Sequence, residues 1–397
     1  MFLLIIGSFR RLIAYFCYRL STTKVFLMHT VLESVATANP PFELTQDQML
    51  AFLSRLEGIS PTLYDRADQI YKKSGIDRRY TCIQDYLTEP PNFSFYPNNW
   101  ALEPVPSTFD RNQLYKIYAT KIAVSAAQQA IENAELNVDD VTHLIVVSCT
   151  GFSAPGLDVH LIQQLGLSND VDRTIIGFMG CCAAFNGLKS ANAICQSNLK
   201  ARVLLVCVEL CTLHFQNENS LENVVINAIF GDGAAAAILS SQSDNDAAGK
   251  LAYIDGASIL ADDTLGLMSW TIGNTGFLMG LSSKVPNAIV QHLPNYLTQL
   301  LDRNALTQSD ISFWAVHPGG RQILDKIQAL FELEDGLIGD SYEILKQYGN
   351  MSSCTILFIL KRLLSRHNGG EKLQNGLALA FGPGLTIEGC LFQQVAS

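Results

Sequence analysis

Charged residues are sparse in this 397-residue chain, at 16% against 48% hydrophobic, and an acidic excess gives a net charge of -10. A pI near 5.2 with no long basic run argues against nucleic acid as a partner. No Cys-x-x-Cys pair occurs, so a structural zinc site is not expected and no metal is called for. The ten cysteines lie mostly singly inside apolar runs (Cys149, Cys195, Cys207, Cys354, Cys390), which excludes a disulfide framework. No short-period repeat is present. The apolar run at residues 2–6 is too short to cross a bilayer and is soon interrupted by Arg10 and Arg11. What remains is a chain long and apolar enough for a sizeable core, the profile of a cytoplasmic enzyme.

Apolar, strand-like runs at residues 144–148, 174–178, 203–208, 234–239, 313–316 and 377–381 alternate with helix-like stretches at 121–135, 185–197 and 321–333. This rhythm predicts a layered α/β protein. The alternation occurs twice, and the polar stretch 240–250 (SSQSDNDAAGK) is where the two halves should meet.

Three residues stand at junctions of this pattern. Cys181, in TIIGFMGCCAAFN, follows what reads as a buried strand and opens a helix. Backbone N–H groups and the positive helix end there would favour a thiolate, and Gly180, Ala183 and Ala184 leave room for a substrate. Core packing of a Cys-Cys pair competes on this segment alone. His317, in FWAVHPGGRQILD, differs from His29, His143, His160, His214, His292 and His367 because a strand end followed by Pro-Gly-Gly aims its ring into a crevice. Asn350, in YGNMSSCTILF, sits at a Gly-Asn turn before a helix and can supply an uncharged donor. A Cys-His-Asn trio serves papain-like proteolysis or carbon–carbon bond formation on thioesters, where His and Asn stabilise an enolate. The Gly-Ser-Cys context of such proteases is absent around Cys181, which favours the thioester chemistry.

The blocks GCCAAFNGLKSA, FGDGAAAAIL, FWAVHPGGRQILD, YGNMSS and FGPGLTIE together resemble the signatures of type III polyketide synthases, the chalcone-synthase-like branch of the thiolase superfamily. The similarity runs from about Met28 to the C-terminus. Ketosynthase III is similar too, but there Gln-Ala-Asn follows the His where this chain has Pro318-Gly319-Gly320. The resemblance implies a duplicated five-layer αβαβα thiolase-like fold, with residues 28–245 carrying Cys181 and residues 246–397 carrying His317 and Asn350. It also implies a homodimer.

The implied activity is iterative. Cys181, as a thiolate paired with a His317 imidazolium, takes an acyl starter; malonyl-CoA loses carbon dioxide, and His317 and Asn350 hold the enolate that attacks. The lengthened chain cyclises after several rounds. Phe230 matches the family's gatekeeping phenylalanine, and Thr150, His214, Ser352, Gly382, Pro383 and Gly384 match cavity positions. Met279 replaces a second gatekeeping aromatic, and Trp270 stands where plant enzymes have glycine, a combination more like bacterial enzymes that make alkylresorcinols or alkylpyrones from fatty acyl starters. Lys73, and more weakly Arg66, match CoA-contacting positions, whereas Gln69 replaces a usual base, which leaves open a starter delivered by an acyl-carrier protein. No cofactor beyond the CoA thioester substrates is implied. A single-condensation synthase and a catalytically silent interaction subunit are the alternatives. Residues 1–27 lie outside the similarity and read as an upstream start with initiation at Met28, as a basic amphipathic membrane-contact helix, or as a weak signal segment.

Overall fold

The computed structural model describes residues 28–243, 246–366 and 374–395, so the N-terminal segment 1–27 lies outside it. In chain order the strands are β1 (Met28–Ala38), β2 (Phe42–Thr45), β3 (Arg78–Thr81), β4 (His143–Ser148), β5 (Asp172–Gly177), β6 (Arg202–Leu210), β7 (Asp232–Ser243), β8 (Leu251–Leu260), β9 (Met268–Gly273), β10 (Gly276–Leu281), β11 (Ile311–Val316), β12 (Gln374–Gly382) and β13 (Thr386–Gln394). Nine of them hydrogen-bond in the order β11-β12-β13-β8-β1-β7-β6-β4-β5, while β2–β3 and β9–β10 form separate two-stranded sheets.

One pairing pattern occurs twice along that order. In the first half β4 runs parallel to β6, β6 antiparallel to β7 and β7 antiparallel to β1. In the second, β11 runs parallel to β12, β12 antiparallel to β13 and β13 antiparallel to β8. Among the described residues, the strands of the two repeats pair with each other where Val31 and Leu32 face Ala252 and Leu251.

Strand side chains alternate between faces, and both faces of each half are covered. Leu144, Val146, Leu204, Val206, Leu377 and Leu379 face the outer core, while Ile145, Val147, Val203, Leu205, Ala378 and Ala380 face an inner one. The helices Ala183–Ser197 and Thr355–Arg366 fill the inner layer and touch strands of both halves. Thr108–Asn133 covers β1, β6 and β7 from outside, and Val285–Asp302 packs on β8. The result is the duplicated αβαβα arrangement. Near-continuous apolar strands follow from it, since each fully buried Leu, Ile or Val contributes about 1.5–3 kcal/mol.

The structure departs from the sequence reading in three places. The helix expected at 121–135 begins at Thr108, where Ser107 and Asp110 form a capping box. Ser240–Ser243, expected as linker, continue β7 against β1, and the Ser241 hydroxyl donates to the Cys195 carbonyl at 2.7 Å. β5, expected to be buried, is an edge strand with its first four residues exposed, because β4 is its sole neighbour. Among the described residues no helix is long and apolar enough to cross a membrane.

Candidate active site

Cys181 sits in the 3-10 turn Gly180–Cys182 that leads into the helix Ala183–Ser197. The turn is tightly seated. Gly180 has φ +73°, and a Cβ there would meet Pro383 Cδ at 2.3 Å; a Cβ on Gly382 would meet Cys182 Sγ at 2.4 Å. The loop 382–384 therefore braces the nucleophile turn, and of its three residues Pro383 reaches the cavity wall. The Gly180 N–H donates to Cys149 Sγ at 3.3 Å, adding a second thiol beneath the turn.

His317 follows β11 directly and its N–H donates to the Leu379 carbonyl at 2.8 Å. The ring is buried, and neither nitrogen has a hydrogen-bond partner among the described residues. Asn350 follows Gly349, whose φ of +67° makes the Gly-Asn turn seen in the sequence. Its carboxamide oxygen accepts the Ser352 N–H at 2.8 Å and lies 4.0 Å from Cys181 Sγ. Its Nδ2 makes only a long contact, 3.5 Å, to the Gly319 carbonyl, two residues beyond His317. Asn350 thus lies between the Cys181 thiol and the loop that follows His317.

Burial acts against the expected ion pair. Burial pushes the Cys181 thiol up to about 11, opposed by the Ser352 and Asn350 side chains, and the negative charge of Glu209 adds to the rise. Burial alone pushes His317 down to about 3. Burial thus favours an uncharged thiol and imidazole over the ion pair, because desolvation penalises both charges.

Cys181 is 7% exposed, and it opens on a cavity of about 850 Å³, mouth included. Phe230, Thr150, Ser352, His214, Trp270 and Met279 line it, as expected; His317 and Asn350 are not among its lining residues. Trp270 and Met279 are directly paired across the β9–β10 hairpin, a relation the sequence reading missed although Gly-Asn-Thr-Gly is a legible two-residue turn. His214 is both cavity wall and satisfied core residue. Its Nε2 donates to the Thr150 carbonyl at 2.9 Å and its Nδ1 accepts the Phe277 N–H at 3.0 Å. The ring stacks on Phe277 at 4.3 Å, and burial holds it neutral, with its pKa lowered to about 3.

Glu209 was also missed. This carboxyl, buried in the apolar strand β6, accepts from the Thr150 hydroxyl (2.9 Å), the Cys149 N–H (2.9 Å) and the Ser353 hydroxyl (2.5 Å). Burial raises it to about 7 despite those donors. A lone Glu inside VLLVCVEL was the available signal. Arg66 and Lys73 lie exposed on the helix Pro61–Lys73 and are not among the residues that line the cavity.

Comparisons with known proteins agree with this architecture. The chalcone and stilbene synthase N-terminal domain model matches residues 28–243 and the C-terminal domain model residues 257–396. The chain is 30% identical over 364 residues to the alpha-pyrone synthesis polyketide synthase-like Pks18 of Mycobacterium tuberculosis, covering 91% of this chain and 90% of that one. The crystal structure of PKS-I from the brown alga Ectocarpus siliculosus superposes with a TM-score of 0.89 at 34% identity, covering 94% of this chain and 100% of that one. The 1,3,6,8-tetrahydroxynaphthalene synthase of Streptomyces coelicolor A3(2), a bacterial type III polyketide synthase, superposes at 0.80 with 27% identity, covering 91% and 98%. Family models spanning most of the chain, a shared fold and a thiol that faces a deep cavity lead to one conclusion: the chain belongs to the chalcone and stilbene synthase family, the type III polyketide synthases, acyltransferases that act on CoA thioesters.

Proposed function

We propose that Cys181 is the acyl acceptor of this synthase, with His317 and Asn350 completing the reacting centre. The supporting observation is the placement of the Asn350 carboxamide, 4.0 Å from the Cys181 sulfur and 3.5 Å from the Gly319 carbonyl of the histidine loop. His317 takes the thiol proton as Sγ attacks the starter carbonyl, and CoA leaves with that proton as its free thiol. Malonyl-CoA then loses carbon dioxide. The His317 N–H and Asn350 Nδ2 donate to the enolate oxygen, while the enolate carbon attacks the acyl-Cys181 carbonyl and Sγ departs. Transfer of the longer chain back to Cys181 permits another round.

The starter we propose is a fatty acyl group, yielding an alkylpyrone or alkylresorcinol. Leu44, Met49, Phe215, Ile226 and Met268 give the cavity a largely apolar wall suited to an alkyl chain, and the name of the mycobacterial relative includes alpha-pyrone synthesis. The residue halves 28–245 and 246–397, a homodimer and a cytoplasmic location complete the reading. For the dimer, the unpaired edge β5 exposes Ile175 beside Met179 and Phe152, an apolar sheet edge that a second copy would cover. For the location, the nine described cysteines are all free thiols.

The deciding assay incubates purified protein with short-, medium- and long-chain acyl-CoA plus malonyl-CoA and identifies products by mass spectrometry. Multiply extended, cyclised products support the reading. A single 3-oxoacyl product would make the protein a one-round synthase, and no turnover with any starter would leave the silent-subunit alternative.

A further inference from the structure

The segment that presents Phe230 is held from three sides. It follows the helix Leu221–Ile229, whose last carbonyls need partners outside the helix. The Ala228 carbonyl accepts from Gln46 Nε2 at 2.9 Å, the Ile229 carbonyl from the Asn350 N–H at 2.8 Å, and the Phe230 carbonyl from Arg79 Nη1 at 2.9 Å. Arg79 Nη2 in turn donates to Gln46 Oε1 at 2.8 Å, which joins two of the three holders. The Gly231 N–H donates back to the Asn350 carbonyl at 2.9 Å, so the gate segment and the Asn350 loop form a reciprocal backbone bridge.

Arg79 is almost fully buried, and its stem fills the space between the two loops. A Cβ on Gly231 would meet Arg79 Cβ at 3.1 Å, and a Cβ on Gly349 would meet the same atom at 3.7 Å. The strand carrying Arg79 is tied to the FGDG block a second time, by the Cys82 N–H donating to Asp232 Oδ2 at 2.9 Å. A guanidinium at a helix C-terminus also complements the partial negative charge there. Placing so large a cation out of water is costly unless its donors are used, and two of its nitrogens are spent on the gate carbonyl and on the glutamine that holds the neighbouring carbonyl.

We propose that Arg79, together with Gln46, is a positioning residue that fixes Phe230 and Asn350 relative to each other, so that decarboxylation and not starter loading depends on it. The inference rests on the reading of Asn350 as the enolate donor. Starter loading needs the Cys181 thiol and a base, neither of which Arg79 holds. Enolate formation needs the carboxamide and the gating ring in register, and a displacement of about 1 Å at such a contact can cost about a hundredfold.

The test uses the full chain and two readouts. Arg79→Lys keeps the charge but replaces the two forked nitrogens, one on each acceptor, by a single ammonium, and Gln46→Ala removes the second holder without touching the charge. With Arg79→Lys, malonyl-CoA decarboxylation should fall about tenfold or more while acylation of Cys181 by acyl-CoA changes less than about threefold. Adding Arg79→Lys to Asn350→Ala should bring little further loss, because Arg79 acts on this step through Asn350. Hydrogen exchange by mass spectrometry should show faster exchange of the Gly231 and Asn350 amides in both variants, with β6 unchanged. Equal losses of acylation and decarboxylation, or unchanged exchange at those two amides, would overturn the proposal. If the unsubstituted protein does not decarboxylate malonyl-CoA, the functional reading fails, and the exchange of those amides still decides whether Arg79 clamps the two loops. Should Arg79→Lys unfold, Gln46→Ala gives the same two comparisons.

Discussion

The cavity has two walls built on opposite principles. Around Cys181 the parts are held by hydrogen bonds and glycine-tight backbone contacts: Asn350 by Ser352 and Ile229, Gly180 by Cys149 and Pro383, Glu209 by three donors. The other wall is made mainly of rings and thioethers, with Trp270 edge-on to His214 at 5.4 Å, Phe277 stacked on His214 and Met279 opposite Trp270 on the hairpin; Trp270 Nε1 and His214 Nε2 fasten it to the Cys149 and Thr150 carbonyls. Hydrogen bonds have narrow geometry, so the first wall tolerates little change of residue. Apolar packing asks mainly for volume, so the second can vary and still fold. The contrast suggests that chemistry resides in one wall and choice of substrate in the other.

The largest break in that comparison should come from Cys181→Ala, which leaves no acyl acceptor and should lower condensation by about a thousandfold or more in a product assay. Next comes Asn350→Ala. It should reduce malonyl-CoA decarboxylation by about 100- to 1,000-fold while acylation of Cys181 stays within about tenfold, and equal losses would remove the enolate role. Trp270→Ala acts on the other wall. It should shift the preferred starter toward longer or bulkier chains by about 10- to 100-fold in relative kcat/KM, with overall turnover within about tenfold.

The smallest effect is expected at His214. Replacement by leucine gives up hydrogen bonds to Thr150 and Phe277 and should cost about 1–3 kcal/mol in denaturant unfolding near neutral pH, with little change in condensation. The pH dependence has a definite sign. His214 stays neutral in the folded chain because its pKa is lowered to about 3 from 6.5, whereas the unfolded chain takes up the proton below 6.5. Stability therefore falls as pH drops from 6.5 toward 3. The leucine variant lacks that contribution, so the gap between the two proteins should narrow on acidification.

Cys181, His317 and Asn350 were legible in the sequence because each sits at a turn between elements, and turns carry glycine and proline marks: Gly180 before Cys181, Pro318-Gly319-Gly320 after His317, Gly349 before Asn350. The inner strands were legible as uninterrupted apolar runs because both of their faces are covered. β5 deceived for a related reason. An apolar edge strand reads like a central one, since the sequence does not record which neighbour is missing. The effect of burial on Cys181 and His317 was not legible, because helix-end electrostatics can be read locally, whereas desolvation depends on everything packed around the two groups. Arg79 gave no signal at all: its partners Gln46 and Phe230 lie 33 and 151 residues away.

The most direct test is the mass of the intact protein after brief exposure to a fatty acyl-CoA without malonyl-CoA, followed by peptide mapping. One acyl group per chain, located on Cys181 and absent from Cys181→Ala, is the predicted result. An adduct on another cysteine, or none with any acyl-CoA, would contradict the assignment of Cys181 as the residue that carries the growing chain.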